Sequence, residues 1–243
     1  MCSIERTKTM FKYKTVCSIL ILWCMPAIAD EAPQFTPARF ADSEEPLQSL
    51  IEFSHSGKDI DVKIKCDTVI TDEGKISRVV CYGPDRRKVS YKKAIYDVIK
   101  NVEFVPATVN GEAKTVILQC TVQFVRQEGV ANISVYPNHG YNVKKYGDNY
   151  SGVQRYDWDI WSSRGCRRHN RRFFVSTEAI VGSDGKLLDY KLDKGEQRLG
   201  PCEEDLNKHV SSGSYIPAMM DDIPVQAKFV ESHLNYLDPK ATY

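Results

Sequence analysis

Cysteine is the residue type in this sequence whose spacing most clearly allows chemistry. The chain has eight cysteines, and five of them follow residue 29. No two are arranged as Cys-x-x-Cys, and the five histidines are scattered, so the spacing predicts no metal site. An odd number of cysteines leaves at least one thiol unpaired, or paired with another chain.

Two pairs of these cysteines are candidates for disulfide bonds. Cys66 and Cys81 lie at equal distances from the centre of a predicted hairpin, so a two-residue turn would place them opposite each other. Cys120 is predicted to face the same interior and could replace either partner. All three could instead be buried thiols that act as small apolar side chains. Cys166 precedes a predicted strand and Cys202 begins a predicted helix, so a bond between them would stabilise a small core.

The sequence contains none of the common catalytic motifs. The G-x-S-x-G, H-E-x-x-H, P-loop and dinucleotide-binding patterns are all absent. Asp72, Glu73 and Asp184 fall in predicted hairpin turns, and the acidic residues 203–205 begin a predicted helix. We therefore expect a protein that is not an enzyme and binds no cofactor. The alternative is an enzyme whose residues meet only in the fold.

Residues 1–29 have the layout of a secretory signal peptide. Lys12 and Lys14 precede an uncharged run from Thr15 to Ala29, which ends in small residues. This run is shorter than the ~20 apolar residues that a membrane span prefers. We expect cleavage, export and no stable membrane span afterwards. The alternative is an uncleaved segment that anchors the chain in the membrane.

The composition of the remaining chain argues against nucleic acid as a partner. Removing residues 1–29 takes away four basic residues and one acidic residue, so the formal charge falls from +1 to −2. The dense basic run 166–172 fits a solvated loop, and contact with lipid headgroups or an acidic partner is the alternative. Trp158 and Trp161 either pack into the second half of the chain or form a recognition surface with nearby tyrosines.

The sequence repeats itself with a shift of 111 residues. The stretch "FVPATVNG" at 104–111 and the stretch "YIPAMMDD" at 215–222 share the order aromatic, β-branched, Pro, Ala. The same shift places Gly74 on Gly185 and aligns apolar positions of strand and helix patterns without a gap. We interpret the pattern as an ancient duplication.

Each copy is predicted to contain two strands, a helix and a third strand. In the first copy, Val62 to Ile70 alternate between apolar and mostly polar residues, and Ile95, Val98 and Ile99 form a helical apolar stripe. The predicted fold class is α+β, with two tandem ββαβ units, each a three-stranded antiparallel sheet with a helix on one face. The predicted boundaries are a signal peptide (1–29), an N-terminal segment with a short helix (30–59), a first unit (60–126), an aromatic-rich connector with a short helix (127–170), a second unit (171–236) and a tail (237–243).

This order of elements resembles the TonB C-terminal domain family. The resemblance rests on "VITDEGKISRVV" and "FVPATVNGEAKTVILQCTVQF" in the first copy and on "AIVGSDGKLLDYKLD" and "YIPAMMDDIPVQAKFV" in the second. It implies a periplasmic protein that binds an extended segment of an envelope or outer-membrane transport protein, by adding that segment as a strand to a sheet edge. The alternative is a structural protein whose edges pair internally or in a homodimer.

Two features of a full TonB protein are missing from this sequence. The N-terminal apolar segment has no histidine, and prolines are too sparse for a Pro-rich spacer. We therefore expect no coupling to an energised inner membrane, and the partner-binding residues stay open at this stage.

Overall fold

The protein is described by a computed structural model. The described residues are 33–42, 46–53, 57–82, 89–156 and 173–235. All of them belong to one compact unit, Ala32–Tyr243. The predicted signal peptide, the two tryptophans Trp158 and Trp161, the basic run and the tail lie outside these residues. Within them, no helix has both the length and the apolar character needed to cross a membrane.

The fold is mixed α+β and consists mostly of strands in several small antiparallel sheets. In chain order, the described strands are β1 (Phe35–Thr36), β2 (Arg39–Phe40), β3 (Ile60–Ile70), β4 (Ile76–Tyr82), β5 (Phe104–Val105), β6 (Ala107–Val109), β7 (Glu112–Lys114), β8 (Val116–Gln127), β9 (Val130–Tyr136), β10 (Gln154–Tyr156), β11 (Phe173–Val181), β12 (Leu187–Asp193), β13 (Ser214–Ile216), β14 (Ala218–Met220), β15 (Ile223–Val225) and β16 (Ala227–Asn235). The described helices are α1 (Leu47–Leu50), α2 (Val89–Ile99), α3 (Val143–Tyr146) and α4 (Pro201–Ser211).

The largest sheet has β3 and β8 at its centre. Its order is β13-β10-β8-β3-β4, and β9 also pairs with β8. The sheet of the first unit therefore has six strands instead of the predicted three. The reason is that β9 and β10, which belong to the predicted connector 127–170, both pair with the side of β8 that faces away from β3.

A second sheet has the order β12-β11-β16. Its central strand β11 alternates between buried residues and more exposed ones, which is the pattern of a strand with one face in the core. Helix α4 contributes to the core through Cys202, Leu206 and Val210. Its start follows the sequence signals, with Pro201 in the first turn and acidic residues beside the positive end of the helix dipole.

The hydrophobic core is shared between the two halves of the chain. Helix α2 packs Ile95 and Ile99 against the β3 and β8 side chains of one cluster. A second cluster places Val69 and Ile117 of the large sheet together with Phe229 of the small sheet. Burial of apolar side chains from both halves in one cluster means that each half covers surface of the other.

The disulfide between Cys66 and Cys81 is confirmed. The two residues are opposite each other in β3 and β4, although the connection is a five-residue loop with a bulge between Val69 and Ile70 rather than a two-residue turn. Cys120 lies opposite Cys66 on β8 and is a free, buried thiol, and burial raises its pKa to about 12. Cys202 is disulfide-bonded. Cys166 lies outside the described residues, so its pairing with Cys202 stays a prediction.

Candidate functional site

A buried polar cluster lies between β10, β11, β16 and α4. Its centre is the Arg155 side chain on β10, which is 2 % exposed. The Arg155 guanidinium donates to the Glu231 carboxylate at 2.9 Å, to Nε2 of His209 at 2.6 Å and to the backbone oxygen of His209 at 2.6 Å. On β16, His233 Nε2 lies 2.9 Å from the hydroxyl of Thr177 on β11.

His209, Glu231 and His233 offer three metal-ligating atoms within 4.8 Å of one another. The spacing in sequence gave no sign of this group, because β16 and α4 meet only in the fold. Arg155, however, already binds two of the three ligands. The Arg155 guanidinium lies against both ring nitrogens of His209, with Nη1 2.6 Å from Nε2 and Nη2 3.4 Å from Nδ1. The guanidinium is thus the cation of this cluster, and a metal ion would have to displace it.

The negative charge of Glu231 in this cluster is stabilised by the groups around it. Burial opposes ionisation of Glu231, but His209, His233 and Arg155 together lower its pKa to about 2. His209 Nε2 lies 3.7 Å from the Glu231 carboxylate, which is too long for a hydrogen bond, so the Arg155 contact at 2.9 Å holds the charge in place. Burial lowers the pKa of His233 to about 4, so this histidine is neutral above that pH.

A second polar group connects the large sheet to β16. The side-chain amide of Gln119 on β8 donates to the Asp67 carboxyl at 3.0 Å and to the backbone oxygen of Val230 at 2.8 Å. His139 Nε2 lies 3.0 Å from the Cys66 oxygen and 3.3 Å from Asp67. Burial, and then the charge of Glu231, raise the pKa of Asp67 to about 7, and burial lowers that of His139 to about 4. Between pH 4 and pH 7, the Asp67 carboxyl and the His139 ring are therefore both uncharged.

These acids and histidines converge, but they do not line the three cavities that other described residues form. Cavities of about 540, 260 and 390 Å³ are lined by other described residues, and none has Asp67, His139, Arg155, Glu231 or His233 in its wall. Buried polar groups that satisfy one another across two sheets fix how the sheets pack. The geometry therefore supports a structural link between the halves.

Sheet edges are surfaces at which a partner can bind, because an edge strand presents unpaired N–H and C=O groups. Three of the edges are partly closed by the protein itself. On β4, the N–H of Cys81 donates to the Tyr96 hydroxyl at 2.7 Å. On β12, the N–H of Tyr190 donates to the Asp189 carboxylate at 2.8 Å. On β16, the oxygen of Val230 accepts from Gln119.

The outer edge of β9 is different. The Cα atoms of Cys66 and Cys81 are only 4.0 Å apart, as in a non-hydrogen-bonded pair, so Cys66 directs its backbone groups towards β8. By alternation, the even-numbered residues of β8 bond to β3 and its odd-numbered residues bond to β9. The backbone groups of Ala131, Ile133 and Val135 then point away from the sheet. No hydrogen bond from another described residue reaches them.

A groove follows this edge of β9. The cavity of about 260 Å³ is bounded by Ala131, Asn132 and Ile133 on one side and by α1 and the residues after it on the other. The cavity of about 540 Å³ includes Val135 in its wall. The two cavities share Gln48 of α1. The walls of the two cavities therefore include all three residues whose backbone groups point away from the sheet.

The sequence predictions did not find this edge. They placed residues 130–136 in a connector and left the partner-binding residues open. One sequence signal was present: Glu128-Gly129 is a two-residue turn in which both residues have positive φ (51° and 78°), between two β-branched runs. Such a turn with φ > 0 at both residues is typical of a tight hairpin.

Comparison of the chain with protein-family models, with curated proteins and with solved structures finds no match. The class of protein that the fold and the site define is thus an α+β protein with an unpaired sheet edge beside a groove.

Proposed function

We propose that this chain is an exported, periplasmic, non-catalytic protein with two tandem TonB-C-like ββαβ units, which binds an extended segment of an envelope or outer-membrane transport protein by strand addition at β9. The observation that carries the proposal is the set of outward backbone groups of Ala131, Ile133 and Val135, which have no partner among the described residues.

Strand pairings support the duplication. Asp67 is opposite Val80, and 111 residues later Glu178 is opposite Lys191. The bulge at 69/70 recurs at 180/181. The pairings of β3 with β8 and of β6 with β7 recur with the same shift in β11 with β16 and in β14 with β15. Two unrelated segments can share single residues by chance, but they are far less expected to share the same strand registers.

The composition of β9 supports a partner at its edge. Its seven residues, Val130–Tyr136, contain no charged residue and no proline. Natural edge strands usually carry such residues, because they prevent unwanted pairing with other chains. An edge that lacks them, and that borders a groove, is suited to receive an extended segment.

The test uses an array of overlapping peptides that covers periplasmic segments of outer-membrane transport proteins. Ala131→Pro removes one outward N–H without removing a bond to β8, because proline is tolerated on the free side of an edge strand. We expect it to weaken peptide binding about tenfold. Ala131→Val, which keeps the N–H, is the matched control and should bind like the wild type. Binding that Ala131→Pro leaves unchanged, or no bound peptide at all, would contradict the proposal.

Self-association is the second candidate, because an uncharged β9 could pair with β9 of another copy without charge repulsion. Light scattering distinguishes the two. A dimer that Ala131→Pro dissociates, together with an absence of peptide binding, would favour self-association and overturn the peptide proposal.

A further inference from the structure

We infer that the bound segment carries a bulky apolar side chain and, two residues along the strand, a basic residue, and that the larger cavity beside β9 selects this pair on one face of the strand. The inference depends on the proposed strand addition and specifies its ligand. The cavity is the one of about 540 Å³ whose wall includes Val135. Asp42, Glu103 and Asn101 are among its polar wall residues.

The position of the cavity brings it next to any strand added at β9. Val135 presents its backbone to the added strand and also forms part of the cavity wall. Side chains of an extended segment alternate between the two faces, and neighbouring residues are about 3.3 Å apart. One residue of the added strand therefore comes to lie at the cavity mouth, and its neighbours continue along Ile133 and Ala131 towards the smaller cavity.

The apolar part of the wall fits a large side chain. It contains Phe40, Leu47, Leu50 and Val102 in addition to Val135. Phe40 is fixed in the wall by the pairing of β2 with β5 and by ring contact with Phe104 at 4.9 Å. A volume of about 540 Å³ is within the range of ligand pockets and exceeds the needs of a small aliphatic side chain.

The charged part of the wall is acidic. No lysine or arginine lines the cavity, whereas Asp42 and Glu103 do. Asp42 has a distant partner, Arg39 at 3.8 Å, and its own side chain is 94 % exposed. Glu103 is exposed, and none of the described residues makes a side-chain hydrogen bond or an ion pair with it. Two acids in the wall of an apolar cavity favour a lysine or arginine two residues from the apolar side chain, on the same face of the added strand.

The probe is a library of fluorescein-labelled heptapeptides TVXTZVG, in which X and Z lie on the same face of an extended strand and are varied over all residues. We expect X to prefer Phe, Trp or Leu over Ala, and Z to prefer Lys or Arg over Glu by about fivefold or more at low salt. Asp42→Asn with Glu103→Gln should abolish the preference at Z and leave that at X. Val102→Phe, which fills the cavity, should reduce the preference at X.

Glu52→Gln is the matched control, because Glu52 is an exposed acid outside the cavity wall. It should change neither preference. Peptides that bind in an Ala131→Pro-sensitive manner without preference at X and Z would overturn this inference and leave strand addition intact. If no peptide of the library binds, both are overturned.

Discussion

At the scale of single residues, Asp67 makes the stability of the fold depend on pH. Its pKa is raised from 3.8 to about 7, so its stabilising contribution is complete below pH 4 and is lost as the pH rises to 7. His139 and His233 act in the opposite direction, because their pKa values are lowered from 6.5 to about 4. Their contribution is present above pH 6.5 and is lost on acidification.

Replacing Asp67 by asparagine removes only the first of these two effects and keeps an oxygen for Gln119. We expect the free energy of unfolding of Asp67→Asn, relative to the wild type, to rise by roughly 2–4 kcal/mol between pH 4 and pH 7. Urea unfolding at pH 4.5, 6 and 7.5 measures the difference. A difference that is the same at all three pH values would contradict the raised pKa.

Arg155 is the residue on which the other polar cluster depends. Arg155→Met leaves the Glu231 carboxylate buried without its cation, and we expect it to cost about 3–5 kcal/mol of unfolding free energy. Removing both charges in Arg155→Met with Glu231→Leu should cost less than the single change, because no buried charge is left unpaired. Urea unfolding of the two single variants and the double variant gives the coupling. Additive costs would argue against a paired buried charge.

At the scale of elements, two glycines fix how each hairpin meets the strand after its helix. A Cβ on Gly74 would lie 2.3 Å from the oxygen of Phe104, and one on Gly185 would lie 2.6 Å from that of Tyr215. Both glycines also have φ of +76°. Gly111 has a similar φ of +78° but has nothing within 4 Å of its Cβ position.

Alanine at the three positions should separate crowding from backbone conformation. Gly111→Ala should cost about 1 kcal/mol, the price of a left-handed conformation. Gly74→Ala and Gly185→Ala should each cost more than this, because a backbone oxygen has to move as well. Thermal or urea unfolding measures the three costs. Equal costs at all three positions would mean that the close approach relaxes easily.

Elements with local signals could be predicted from the sequence, and elements defined by distant partners could not. The alternation in β3 and the turn at Gly74 predicted the first hairpin, and they left its disulfide as one of two alternatives, of which the structure has the bond. The contact of Arg155 with Glu231 joins residues 76 apart in sequence, and no periodicity records it. Strand β9 follows a two-residue turn at Glu128-Gly129, within a segment for which the sequence predicts only a connector. The sheet edge proposed for binding therefore required the strand register.

At the scale of the whole molecule, the two halves should unfold as one. Val69 and Ile117 share a core cluster with Phe229, and Gln119 connects β8 to the backbone of β16. A substitution in the second half should therefore lower the stability of the first half by the same amount. Independent units would instead respond one at a time, as a duplication of two self-sufficient domains implies.

Hydrogen exchange with mass-spectrometric detection tests this coupling in the intact protein. In Gly185→Ala, amides of the β3–β8 ladder should lose as much protection against global unfolding as amides of the β11–β16 ladder. Gly74→Ala is the reciprocal variant and should give the same pattern. If Gly185→Ala weakens only the β11–β16 ladder, the shared core and the Gln119 contact do not couple the halves. Each half would then be stable by itself, and strand addition at β9 would depend on the first half alone.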